Sequence, residues 1–169
     1  MEESKMTPFS LIYNSFLAKI TDDMYMEFTK MDTYKMLQEL LIAAIHKFEF
    51  PRVHLNSYVL QEGTTEEDYS EGYFNCLLSN EEINILAVYM VVEWLSQQLA
   101  SVENIRMKYS GSDFKFTSQA NHMAKIQAMK TEYEREGFHL QRLYKRRKAD
   151  EDGIMRSTFD SIMSKGVNY

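Results

Sequence analysis

Turn residues are scarce in this chain: it has six glycines and two prolines in 169 residues, about a third of the usual share. A sequence so poor in tight-turn formers does not fold as an all-β sandwich or barrel. Cysteine is almost absent as well. The single Cys76 excludes an intramolecular disulfide framework and suits a reducing compartment. Excess positive charge is lacking: 19 basic against 25 acidic residues leave a net charge of −6, which argues against generic nucleic-acid binding through overall charge. The start, Met1-Glu2-Glu3-Ser4-Lys5, lacks the basic-then-apolar order of a signal peptide. The most apolar run, Ile83 to Leu95, is interrupted by Asn84 and Glu93 and falls short of the ~20 residues of a membrane span, so it reads as a buried helix. There is no Walker loop, dinucleotide fingerprint, serine elbow or Cys-x-x-Cys pair. No enzymatic activity, metal or cofactor is expected.

What is present is an ordinary globular composition, 44% hydrophobic and 26% charged, in a length that suits about one domain. Thr7-Pro8 reads as a helix start, threonine at the cap and proline at the first helical position. Phe9, Ile12, Tyr13, Phe16, Leu17 and Ile20 then share one face of a helix near 8–20. A second helix is predicted from Asp32 to Phe48, burying Tyr34, Leu37, Leu41, Ala44, Ile45 and Phe48 while Lys35, Glu39 and His46 face away; Pro51 stops it. Alternation over 53–60 predicts a strand, with 72–78 as its partner. The segment between them, Gln61 to Glu71, holds five acids and no base and reads as a solvated hairpin tip. Ser79-Asn80-Glu81-Glu82 is a capping box opening a helix over about 80–104, apolar nearly all round and therefore a central pillar or buried by neighbouring subunits. A loop over 106–116 follows, and then a helix from Ser118 to Lys148. In that helix His122, Ile126, Met129, Tyr133, Gly137, Leu140 and Tyr144 form one narrow seam. The fold expected is mainly α: a bundle of about four helices with an inserted β-hairpin near 52–78, making up residues 1–149. A C-terminal tail, 150–169, completes the chain.

Chemistry is sparse. Glu136 and His139 make one Glu-x-x-His pair, but a di-metal centre needs a second, so they read as a surface pair. His122, on the seam, reads as an interior or interface histidine. Glu93 calls for a structural partner such as Arg or Tyr, or an intersubunit contact; Cys76 reads as a packing residue. Interaction is better provided for. Arg142, Lys145, Arg146, Arg147 and Lys148 cluster at the end of the last helix, where they suit the helix dipole or contact phosphates or an acidic partner. The loop 106–116 interleaves Arg106, Lys108 and Lys115 with Met107, Tyr109, Phe114 and Phe116, a pattern that can touch DNA or a partner. Phe159, Ile162 and Met163 fall at i, i+3, i+4, the spacing of a short docking helix. An acidic tip and a basic helix end on one small chain can also meet head to tail between copies.

The stretch Ser79 to Leu99, continuing through Ser101–Phe116 and Thr117–His122 to Leu143–Arg147, with Asp32–Leu41 and Phe50-Pro51 upstream, resembles head–tail connector proteins of tailed bacteriophages, the neck or adaptor rings beneath the portal. The resemblance covers about 28–148; the acidic insertion at 61–72 and the tail after 150 depart from it. It implies a virion protein made in the bacterial host cytoplasm and assembled as a homo-oligomeric, dodecameric ring whose bore passes the genome. Its partners would be other copies of itself, the portal protein, further neck or tail proteins and, transiently, genomic DNA, with no membrane. Arg106, Lys108, Tyr109 and Lys115 would face the lumen or a partner. Arg142, Lys145, Arg146, Arg147, Phe159, Ile162 and Met163 would contact neighbouring subunits or the portal. The other reading of the same residues is a small helical DNA-binding regulator using the 142–148 cluster.

Overall fold

The computed structural model describes residues 6–20, 29–63, 65, 67–108, 116–149 and 155–157; of these, 103–108, 116–119, 148–149 and 155–157 are described by backbone alone. The chain is mainly helical, with four helices and a small three-stranded antiparallel sheet among the described residues. This is the helical bundle with an inserted hairpin that the periodicities call for.

Strand β1 (Thr7–Pro8) leads directly into α1 (Phe9–Leu17). Thr7 is therefore not the helix cap. Its hydroxyl donates to the Cys76 carbonyl at 2.9 Å and accepts from the Leu78 amide at 2.8 Å, so a tertiary partner draws it into the sheet. Pro8 takes the N-cap position without a side-chain cap, and the Glu71 carboxylate supplies one from the hairpin by accepting from the Ser10 amide at 2.9 Å. Phe9, Ile12, Tyr13 and Phe16 form the buried stripe; the helix ends at Leu17, leaving Ile20 beyond it.

Helix α2 (Lys30–Ile45) begins two residues earlier than Asp32, because the Thr29 side chain caps it by accepting from the Asp32 amide at 3.2 Å. Its core residues are Leu37, Leu40, Leu41, Ala44 and Ile45, with Phe48 just past its end, and Lys35, Glu39 and His46 are exposed. The hairpin strands are much shorter than the alternation suggests. Strand β2 (Tyr58–Val59) pairs antiparallel with β3 (Tyr73–Phe74), Tyr58 opposite Phe74, and β1 closes the other side with Thr7 opposite Phe74. Over 53–57 the backbone bonds within itself, Leu55 to Val53 and Ser57 to His54, and so turns where a strand was expected. The acidic segment is a solvated tip: Glu62, Thr65, Glu67, Asp68, Ser70 and Glu71 are exposed.

Helix α3 (Asn80–Lys108) is the pillar, and the other three helices pack against it. The capping box forms as read: Glu82 accepts from the Ser79 amide at 2.7 Å, and the Ser79 hydroxyl accepts from the Glu82 amide at 3.3 Å. The 23 residues Asn80–Val102 are, by length and composition alone, enough to cross a membrane, more than the interrupted run Ile83–Leu95 suggests. Ile85 to Val92 and Leu95 nevertheless spend their side chains on the core, with neighbouring helices as solvent.

Helix α4 (Phe116–Arg146) returns antiparallel along α3. Gly137 lies against Tyr89, where a Cβ would come within 2.8 Å of the ring; the seam needs glycine for that approach. Helices α3 and α4 have 29 and 31 residues against 16 in α2, about 45 Å against about 24 Å at the helical rise. The long pair therefore outruns the bundle, and burial thins after Leu95. This explains two departures: His122 is exposed rather than interior, and Met129 is exposed in the seam. Trp94 sits at the transition, only partly buried, with its indole nitrogen enclosed and without a hydrogen-bond partner. The last helix ends at Arg146 rather than Lys148. Residues Arg147–Ala149 form β4, pairing antiparallel with β5 (Met155–Ser157), Arg147 opposite Ser157, so position 149 falls inside a hairpin.

Candidate functional site

Three turns of α4 present cations and an aromatic ring to solvent. Arg135, Phe138, His139 and Arg142 line a shallow depression with Thr131 and Glu134, and Phe138 is 54% exposed. One turn on, the Lys145 ammonium lies over the Phe50 ring, 4.0 Å from its centroid, a cation–π contact. Arg146 is exposed beside it. Arg142, Lys145, Arg146 and Arg147 are thus brought together at one end of the bundle. Arg147 differs from the others: it is paired with Glu81 at 3.0 Å and has left the helix.

A polar clamp holds this end in place. Gln141, buried, accepts from the Glu49 amide at 2.8 Å and donates to the Lys47 carbonyl at 3.0 Å and to the Tyr89 hydroxyl. The Arg52 amide donates to the Tyr144 hydroxyl at 3.0 Å. The Arg52 guanidinium covers the Tyr144 ring at 4.0 Å and donates to the carbonyls of Tyr144 and Arg147, so it caps the C-terminus of α4. The Tyr144 hydroxyl in turn donates to the Glu82 carboxylate, which is 3% exposed. None of Arg52, Phe50, Gln141 or Glu82 was assigned to this site from sequence, because the partners are 52 to 95 positions apart. The only local signals were Phe50-Pro51 and the capping box.

Arg106 and Lys108 lie in the last turn of α3, not in a loop; their side chains, together with Tyr109, Lys115, Phe159, Ile162 and Met163, lie outside the described residues. Glu93 has a lysine for its partner, Lys47 at 2.7 Å, neither Arg nor Tyr. Glu136 and His139 are both exposed, and among the described residues no group of three or more His, Cys, Asp or Glu could hold a metal ion. Burial, and secondarily Glu82, push the Cys76 thiol up, away from the thiolate a nucleophile needs.

The acidic tip lies elsewhere. Tyr69 stacks on Tyr34 at 5.1 Å, near the start of α2, whereas Phe48, just past its end, meets Tyr144 at 5.4 Å. The tip is thus anchored near the start of α2 and the Tyr144 end of the stripe past its end, the two anchors about 20 Å apart along the helix. Under the tip, Tyr13 is buried with its hydroxyl unpartnered, and burial, then Tyr69 and Glu71, drive its pKa far up. Burial and the bond to Glu82 do the same for Tyr144. Raised folded-state values mean that both phenols contribute fully below about pH 10, the ordinary tyrosine value, and that stability falls as pH rises above it. The phenolate absorbance of the 11 tyrosines should accordingly rise in two stages, the last part only with unfolding. A single smooth titration with the fold intact would show that these hydroxyls are open to solvent.

Comparison with protein families, with curated proteins and with solved structures finds no match.

Proposed function

We propose that this chain is a structural virion protein of a tailed bacteriophage. In this reading it is a connector subunit that assembles as a ring below the portal, joins capsid to tail and lets the genome pass. The observation that carries the reading is the segregation of charge: an acidic hairpin tip and a basic, aromatic helix face anchored about 20 Å apart along α2, by the Tyr34–Tyr69 stack and by Phe48 on Tyr144 within the Arg52–Tyr144–Glu82 clamp. Opposite patches that cannot reach each other within one chain favour heterologous contacts between chains, which close into rings when the rotation permits. The resemblance of 28–148 to connector proteins adds the portal, further neck or tail proteins and transient genomic DNA as partners, and the neck of the virion as the place. No catalytic step, metal or cofactor belongs to this reading.

Sedimentation velocity over a concentration range, followed by electron microscopy of the protein alone and mixed with purified portal, tests it. Closed rings, alone or on the portal, are the expected outcome. A strictly monomeric species that also fails to join the portal overturns the proposal. A monomer that binds duplex DNA through Arg142 and Arg146 would make it a DNA-binding regulator instead.

A further inference from the structure

Resting on that reading of a self-associating chain, we infer that the stripe on α4 seats the acidic hairpin tip of a second copy, so that Glu62, Glu67 and Asp68 of one subunit face Arg135, Arg142 and Arg146 of the next. Charge complementarity is the first argument. The tip offers three described carboxylates to solvent, whereas Glu71 is occupied at the start of α1. Arg135, Arg142 and Arg146 are exposed and make no ion pair among the described residues, while Glu134 is engaged with Lys130 at 3.5 Å and Glu81 with Arg147.

Apolar matching is the second. Val59 and Leu60, immediately before the tip, are exposed, and so are Phe138 and Phe50 within the stripe. Each patch thus pairs an apolar centre with charge predominantly of one sign, the composition of an interface with a dry middle and a polar rim. Exposed Glu132 and Glu136 on the same helix disfavour a continuous polyanion such as DNA and suit a short acidic loop. Anchorage of tip and stripe at opposite ends of α2 makes the contact intermolecular. Because the two patches differ, it is heterologous and repeats from copy to copy.

The test uses the full chain in three forms: Arg142→Glu with Arg146→Glu, Glu62→Lys with Glu67→Lys, and all four substitutions together. All sites are exposed, and a cooperative melt verifies each fold. Each two-site variant should self-associate more weakly than wild type by roughly tenfold or more, and wild-type association should weaken with added salt. The four-site chain, with both signs exchanged, should recover association, a rescue that misfolding cannot produce. An equimolar mixture of the stripe variant with the tip variant tests the pairing as well: native tip meets native stripe and lysine tip meets glutamate stripe, so the two should alternate and recover the association that each lacks alone. If wild type forms rings and both two-site variants do so equally well, this interface is wrong while the connector reading stands. If wild type is monomeric alone, this interface is wrong; if it also fails to join purified portal, the connector reading falls with it.

Discussion

Replacing Glu82 by alanine is expected to lower stability by about 2–4 kcal/mol, a large part of the 5–15 kcal/mol typical of a domain. Three donors converge on this one buried carboxylate: the Ser79 amide, the Ser79 hydroxyl and the Tyr144 hydroxyl. Alanine removes half of the capping box at the start of α3 and leaves the enclosed Tyr144 hydroxyl without its acceptor. The neighbouring Glu81 provides the control. Its pair with Arg147 is solvated, so Glu81→Ala should cost about 0–1 kcal/mol. Urea denaturation of both variants checks the contrast, and equal losses would deny the clamp its role. A double-mutant cycle of Glu82→Ala with Tyr144→Phe should show a coupling of about 1 kcal/mol or more, because the two side chains share one hydrogen bond. The wider consequence is positional. Without that bond the end of α4, and with it the basic stripe, is held to α3 by the Gln141–Tyr89 bond and the solvated Arg147–Glu81 pair.

Local physics made much of this legible in the sequence. The capping box is a four-residue device, and the stripe Phe9, Ile12, Tyr13, Phe16 is a single helix face, so each could be read without knowing what lay opposite. Gly137 was legible for a similar reason, since a glycine on a seam has few other uses. Thr7 misled because its local context, threonine before proline, competes with a tertiary one: Cys76 and Leu78 sit some 70 positions on and satisfy its hydroxyl better than a helix start would. His122 misled as an interior residue, though not as an interface one, because a seam continues in sequence after the bundle that would bury it has ended; only the relative lengths of α2, α3 and α4 reveal that. Arg52 gave no signal at all. A lone arginine after Pro51 looks like surface, yet the return of α4 places the carbonyls of Tyr144 and Arg147 against it. The charged cluster and the acidic tip were visible as composition. Their separation was not, because it depends on α2 carrying an anchor near each end.

Phe9→Ala should be the most damaging single substitution, with an expected loss of about 3–5 kcal/mol. The ring is 0% exposed and lies edge-on to Phe74 at 5.0 Å, with Tyr13 and Tyr58 at 6.1 and 6.3 Å. Beneath it is Gly72, where a Cβ would come within 2.5 Å of the ring, and the Phe9 amide donates to the Gly72 carbonyl at 2.9 Å. Phe9 therefore joins the first helix to both strands of the hairpin, and its removal leaves a cavity that three short strands and one nine-residue helix have little other packing to close. Because that sheet supports the acidic tip, loss of Phe9 should weaken self-association along with the fold. Phe138→Ala separates the two effects. Its ring is mostly solvated, so stability should change by no more than about 0.5 kcal/mol, while association should still fall through the loss of the apolar centre of the stripe. Thermal melts paired with sedimentation read both quantities on the same samples. A Phe138→Ala chain that keeps full association would leave the stripe with charge alone, and a Phe9→Ala chain that melts like wild type would mean that the hairpin is held from its acidic end, by Glu71 on Ser10 and Tyr69 on Tyr34, rather than from the core.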